Sequence, residues 1–304
     1  MDLTVQLGSL KLKNPVLTAS GTFGYGVEFS QFGDLKKLGG IIVKGLSLQP
    51  KEGNPPPRII ETPCGMLNSI GLQNIGVHRF IKEMLPVLPW KHTPIIANIF
   101  ADRIEEFEEL VEILSDIKEI AAIEVNISCP NVKAGGMLFG QDPKTAEEVC
   151  KRVKEKAAGK TVIMKLTPNV QDITVIARAV EYSGADVISL INTVQAMAVD
   201  IYTKRPKLYT ILGGLSGPAI KPIALRMVYQ VCNSVNIPVI GIGGIVCAED
   251  ALEFILTGAH AVQIGSANFI DPAISFKIID DLSDLVEKLN ITSWDEFRGK
   301  LEVE

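Results

Sequence analysis

Two lysines, three asparagines, a thiol, a Gly-Gly pair and a Gly-Ser pair stand at the ends of short apolar runs in this 304-residue chain. Lys44, Asn98, Asn126, Lys165 and Asn192 each close or follow such a run. Gly243-Gly244 and Gly265-Ser266 follow two more. Lysines supply fixed positive charge, and asparagines offer an amide donor and an acceptor together. Paired glycines let the backbone approach a phosphate and take up φ > 0. Taken singly, each lysine or asparagine reads equally as a loop cap or a satisfied buried group, and each glycine as a tight turn. Their joint placement at seven run ends points to one site that binds a phosphorylated, hydrogen-bonding ligand.

The stretch Gly241-Ile242-Gly243-Gly244 lacks the GxGxxG spacing of a dinucleotide fingerprint, so a mononucleotide phosphate is expected there rather than NAD. The sharpest local signal is Asn126-Ile127-Ser128-Cys129-Pro130-Asn131. A free cysteine is more often a small buried hydrophobe. This one lies past a run end, between an Asn-x-Ser and a Pro-Asn turn. Glycines flank the segment that follows, Lys133 to Gly140, a composition suited to a lid. Cys64, Cys150, Cys232 and Cys247 lack this company and read as structural.

Eight β-branched runs must carry these residues: 16–19, 41–44, 94–100, 122–127, 162–166, 187–190, 239–243 and 261–264. They are nearly continuous in apolar character, as parallel strands buried on both faces are. Amphipathic segments at 103–117, 145–156, 172–182 and 249–256 lie between them, with Asp102 and Asp172 at N-cap positions. Eight β–α repeats predict an α/β (β/α)8 TIM barrel, whose strand C-termini converge on one mouth. Gly8-Ser9 between two short apolar runs predicts an N-terminal β-hairpin that plugs the other end. Two connections, from Gly45 to about Asn74 and from Asn192 to about Gly217, read as long loops at the C-terminal face. No repeat or linker divides the chain, so residues 1–304 are expected to form one domain.

Composition narrows the class. The chain is 47 % hydrophobic and 21 % charged with a net charge of -5, which excludes a disordered or collagen-like protein and argues against a nucleic-acid binder. No apolar run approaches the ~20 residues that cross a bilayer, and the N-terminus has no signal-peptide pattern, so a cytoplasmic protein is expected. Five cysteines without a CxxC and three scattered histidines lead us to expect neither a disulfide framework nor a metal site.

The motif NxSCPN at Asn126–Asn131 resembles the active-site motif of class 1 dihydroorotate dehydrogenases. So do NSIGLQN at Asn68–Asn74, VKG at Val43–Gly45 and the GIGG and IGS glycines, in the same order from Ser20 to Ser266. The stretch ETPCGMLNSIGLQN resembles the NAD-linked branch, class 1B. The resemblance implies an FMN-containing barrel that oxidises (S)-dihydroorotate to orotate in pyrimidine (UMP) biosynthesis. It implies Cys129 as the base that removes the C5 proton while FMN accepts hydride from C6. It implies that Lys44, Asn68, Ser69, Ile70, Gly71, Leu72, Asn126, Asn192 and Thr193 hold the pyrimidine. For FMN it implies Ser20, Lys44, Gly45, Asn98, Asn126, Lys165, Ile191, Gly217, Gly243, Gly244, Gly265 and Ser266. A thiol titrates near ~8.5, so an electropositive surrounding makes thiolate available at neutral pH.

The same resemblance implies a homodimer of barrels within a heterotetramer, joined to an electron-transfer subunit that carries FAD and [2Fe–2S] and passes electrons to NAD. The first apolar runs begin almost at Met1, where membrane-bound class 2 enzymes carry a quinone-contacting extension, so no membrane partner is expected. Two other readings compete with this one. A dihydropyrimidine dehydrogenase-type enzyme acting on uracil or thymine carries SCPH where this chain has Asn131. A non-catalytic phosphate-ligand-binding barrel explains the glycines but neither Cys129 nor the lysines.

Overall fold

The computed structural model describes residues 1–128 and 139–303. Cys129, Asn131 and most of the expected lid fall outside the described residues. In chain order the strands are β1 (Val5–Leu7), β2 (Leu10–Leu12), β3 (Val16–Thr18), β4 (Ile41–Ile42), β5 (Ile59–Thr62), β6 (Gly65–Asn68), β7 (Ile95–Ile99) and β8 (Ile120–Asn126). They continue as β9 (Thr161–Lys165), β10 (Val187–Leu190), β11 (Val194–Ala196), β12 (Val199–Asp200), β13 (Arg205–Pro206), β14 (Gly213–Ser216), β15 (Val239–Ile242) and β16 (Ala261–Ile264).

Eight of them form one parallel sheet in the order β3-β16-β15-β10-β9-β8-β7-β4. A parallel bridge between Leu17 and Gly40 brings β3 against the end of β4 and closes the cylinder. Each expected run supplies one barrel strand, and the strands are buried almost throughout, which is why they read as unbroken apolar stretches.

The surrounding helices bury one stripe each. Helix α1 (Ile104–Ser115) turns Phe107, Leu110, Val111 and Leu114 inward, spaced one helical turn apart. Helix α2 (Pro143–Lys156) starts from Asp142, whose carboxylate accepts from Thr145 N at 2.9 Å, with proline at the first turn. Helix α3 (Ile173–Tyr182) is capped by Asp172, which accepts from Thr174 N at 2.9 Å, as the sequence predicts. Asp102 does not cap α1: the helix begins one residue later, after Arg103, and the Asp102 carboxylate instead meets Lys51 Nζ at 2.7 Å. A lysine from a distant loop outcompetes the local backbone donors.

The two long connections are not plain loops. Strands β5 and β6 from the first and β11 and β14 from the second make a four-stranded antiparallel sheet, ordered β11-β14-β6-β5. Leu67 pairs with Leu215 and Asn68 with Gly214, so two excursions separated by more than a hundred residues build one structure beside the mouth. At the opposite end, β1 and β2 pair antiparallel through Gly8-Ser9. Ser9 Oγ lies 2.8 Å from Thr161 Oγ1 at the start of β9, and Leu7 and Leu12 are fully buried in the core. The hairpin closes the N-terminal end of the barrel. Among the described residues no helix is long and apolar enough to cross a membrane.

Because Leu12 fills the plug without any exposed surface, Leu12→Ala is expected to lower stability by about 2–5 kcal/mol in urea denaturation, by lost burial and a residual cavity.

Candidate active site

The strand C-termini and the four-stranded sheet enclose a cavity of about 860 Å³, within the range of small-molecule sites. Every described residue expected from the sequence lines it: Ser20 after β3, Lys44 and Gly45 after β4, Asn68 to Leu72 from β6 onward, Asn98 on β7, Asn126 on β8 and Lys165 on β9. Ile191, Asn192 and Thr193 after β10 join them, with Gly217 after β14, Gly243-Gly244 after β15 and Gly265-Ser266 after β16. The structure therefore gathers these side chains at one place.

Local geometry explains the arrangement. Asn192 Nδ2 donates to Asn126 Oδ1 at 3.2 Å, and Asn192 Oδ1 accepts from Thr193 N at 2.8 Å. Asn126 Oδ1 also accepts from Ser128 N at 3.1 Å, and Ser128 Oγ donates to the Lys165 carbonyl at 3.1 Å. The backbone leading to Cys129 is thus tied to β8 and β9. Gly243 and Gly244 have φ of 134° and 73°. A Cβ on Gly244 would come within 2.7 Å of Lys221 Cβ, so glycine is required for the turn as well as for access. Ser69 Oγ is buried and, among the described residues, has no hydrogen-bond partner. A buried hydroxyl without a partner calls for an explanation, and a bound molecule or water in the cavity supplies one.

The wall is electropositive. Its described ionisable residues are Lys44, Lys165 and Tyr209, with no carboxylate and no imidazole. Burial pulls the Lys44 ammonium below the ordinary 10.5, and the Arg58 guanidinium pushes the same way while Glu28 opposes. Lys165 is 4 % exposed, and its nearest recorded partner is Ser20 Oγ at 3.3 Å. Its ammonium has donors to give. Three other cysteines are unsuited to thiolate chemistry: burial pushes Cys150 and Cys232 up to about 12 and Cys247 up to about 11.

Comparison with known proteins gives the family. The family model described as dihydroorotate dehydrogenase matches residues 2–286. The chain belongs to the dihydroorotate dehydrogenase family. It is 58 % identical over its full length, and over 99 % of the relative, to a protein of Maridesulfovibrio salexigens named dihydroorotate dehydrogenase B (NAD(+)), catalytic subunit. A protein of the same name from Bacteroides thetaiotaomicron is 56 % identical over 99 % of both chains. Within this dihydroorotate dehydrogenase barrel, sequence reasoning missed Asn169 and Glu124. Asn169 follows β9, donates to the Thr193 carbonyl at 3.2 Å and accepts from Gln195 N at 2.9 Å, fastening the second excursion to the barrel. The signal was present: Thr167-Pro168-Asn169 is another polar cluster at a strand end, and Glu124 is a lone charge inside an apolar run.

A lysine bound less firmly to its proton in the folded state than in the unfolded chain costs stability at neutral pH. The cost fades as pH rises through the folded value towards 10.5, because the unfolded chain then binds more protons. Lys44→Met is therefore expected to raise the melting temperature of the ligand-free protein at pH 7. That gain should shrink when melts are repeated near pH 10.

Proposed function

We propose that this chain is the catalytic subunit of an NAD-linked dihydroorotate dehydrogenase, oxidising (S)-dihydroorotate to orotate in pyrimidine biosynthesis. The observation that carries the reading is a single electropositive, amide-rich cavity on a barrel of this family. It is lined by both lysines and all the strand-end amides and glycines.

The residues present fit FMN. The glycine turns after β15 and β16 leave the backbone open where a phosphate would sit, at the position where barrels of this type often bind one. Lys165 offers a buried cation with long contacts only. The wall has no described acid to repel an anion. In this reading Ser20, Lys44, Gly45, Asn98, Asn126, Lys165, Ile191, Gly217, Gly243, Gly244, Gly265 and Ser266 hold FMN. When bound, FMN supplies a two-electron acceptor.

The chain's own residues do the rest. Lys44 pairs with the negative charge of the substrate. Asn68, Asn126 and Asn192, with Thr193 and the loop from Ser69 to Leu72, orient a planar ring that carries alternating donors and acceptors. Donors placed at the C4 oxygen stabilise the charge that develops as C5 loses its proton. The sheet β5–β6–β14–β11 screens the cavity from water. Cys129 takes the C5 proton: it follows Ser128 directly, and the described wall contains no carboxylate or imidazole to do so.

The electrons leave, in this proposal, through a second subunit carrying FAD and [2Fe–2S] to NAD, around a homodimer of barrels in a cytoplasmic heterotetramer. The name of the relatives, a catalytic subunit, supports a separate partner. So do apolar side chains at the mouth: Ile211, Leu212 and Phe269 line the cavity and are exposed.

The test is an anaerobic titration of the FMN-loaded chain, followed by flavin absorbance. Dihydroorotate is expected to bleach the flavin and dihydrouracil to leave it oxidised. Bleaching by dihydrouracil alone would move the protein to the uracil-reducing type, and indifference to both would reject the reading. Cys129→Ala is expected to retain FMN and slow its reduction by roughly 10²–10⁴-fold in stopped flow at neutral pH. Reduction at the wild-type rate would remove Cys129 as the base.

A further inference from the structure

A carboxylate lies beneath the cavity and does not line it. Glu124, on β8, has no exposed surface. Its Oε1 accepts from Ser189 Oγ at 2.8 Å and from Gln263 Nε2 at 2.6 Å, and its Oε2 accepts from Asn98 Nδ2 at 2.6 Å. Lys165 Nζ stands 3.6 Å from Oε2. Strands β7, β8, β9, β10 and β16 each contribute one residue to this layer.

Barrel interiors are ordinarily filled by branched aliphatic side chains. Taking an ion pair out of water costs several kcal/mol per ion, and an apolar layer of similar volume is often as stable or more so. Fold stability is therefore a poor reason for this layer. Its geometry supplies another. The carboxylate spends its three short bonds on neutral donors from three strands, which fixes its position. The ammonium receives no short bond from it. Lys165 Nζ lies 3.3 Å from Ser20 Oγ, 3.5 Å from Gln263 Oε1 and 3.6 Å from Glu124. Gln263 spans the two charges, donating to Glu124 and accepting from Lys165. The lysine is held at the cavity floor by the charge of Glu124 and by two long hydrogen bonds, to Ser20 Oγ and Gln263 Oε1, so its ammonium keeps donor capacity for the cavity above. The floor then presents an oriented pair of zero net charge instead of a bare cation.

We propose that Glu124 is a positioning residue for the redox chemistry: it fixes Lys165 Nζ at the cavity floor and supplies the countercharge that tempers the electron affinity of the bound flavin. This rests on the FMN reading above. The other described ionisable groups of the wall, Lys44 and Tyr209, have no recorded contact with the pair.

The experiment measures the two-electron midpoint potential of FMN by spectroelectrochemistry at pH 7, together with FMN content, for the wild-type chain and the variants Glu124→Gln, Glu124→Asp and Ser189→Ala. Removing the negative charge while keeping the shape leaves Lys165 uncompensated and favours the anionic reduced flavin. Glu124→Gln is expected to raise the potential by tenfold or more in the reduction equilibrium, about 30 mV for a two-electron couple. Glu124→Asp keeps the charge and should stay closer to wild type than to Glu124→Gln. Ser189→Ala takes one donor from Oε1, concentrates the negative charge and should lower the potential. It is a small change outside the cavity wall and decides the matter if Glu124→Gln does not fold. A Glu124→Gln potential equal to or below wild type, or a Ser189→Ala potential unchanged or raised, overturns the proposal with the FMN reading intact. A wild-type chain that takes up no FMN overturns both, and that control tells the two failures apart.

Discussion

A buried carboxylate cannot be left alone, and much of this barrel's interior answers to that constraint. Glu124 draws an amide, a hydroxyl and a second amide from three strands, and a lysine from a fourth. An unpaired charge at this depth would cost several kcal/mol, so the inward positions of those strands are committed to donors and not to aliphatic packing. The layer lies directly under the cavity. It converts the middle of a hydrophobic barrel into a polar floor while the rest of the core stays apolar.

Above the floor the same economy recurs. Asparagines are used for bonds to the frame as well as for the cavity: Asn98 is tied to Glu124, Asn192 to Asn126, Asn68 to the Gly214 carbonyl and Asn169 to the second excursion. A side chain with both donor and acceptor can be anchored by one end and present the other. This suits a site that must recognise the edge of a planar ring with little reorganisation. The lysines do different work. Lys44, pulled down by burial and by Arg58, is the responsive charge, and Lys165 is the one with a fixed counterion.

The walls come from an unusual construction for long connections. Each excursion folds into its own hairpin, β5–β6 and β11–β14, and the two hairpins pair with each other through β6 and β14. The site is thereby roofed by a sheet whose two halves are distant in sequence. At the mouth, Ile211, Leu212 and Phe269 line the cavity and are exposed.

The barrel was legible in the sequence, because eight near-continuous apolar runs separated by amphipathic segments match the eight β–α repeats of a closed parallel barrel. So were the N-terminal hairpin, the Asp172 cap and the set of polar residues at the strand ends, since each depends on neighbours within a few positions. What lay beyond the sequence required partners far along the chain. Asp102 reads as a cap until Lys51 is brought beside it. The excursions read as loops because β5, β6, β11 and β14 are short and only partly buried; each excursion makes a hairpin, and pairing of residues 66–68 with 214–216 joins the two into one sheet. Glu124 reads as one charge in an apolar run. That it is the hub of a five-strand layer follows only from closure of the cylinder, which sets Asn98, Lys165, Ser189 and Gln263 around one point that no local spacing defines.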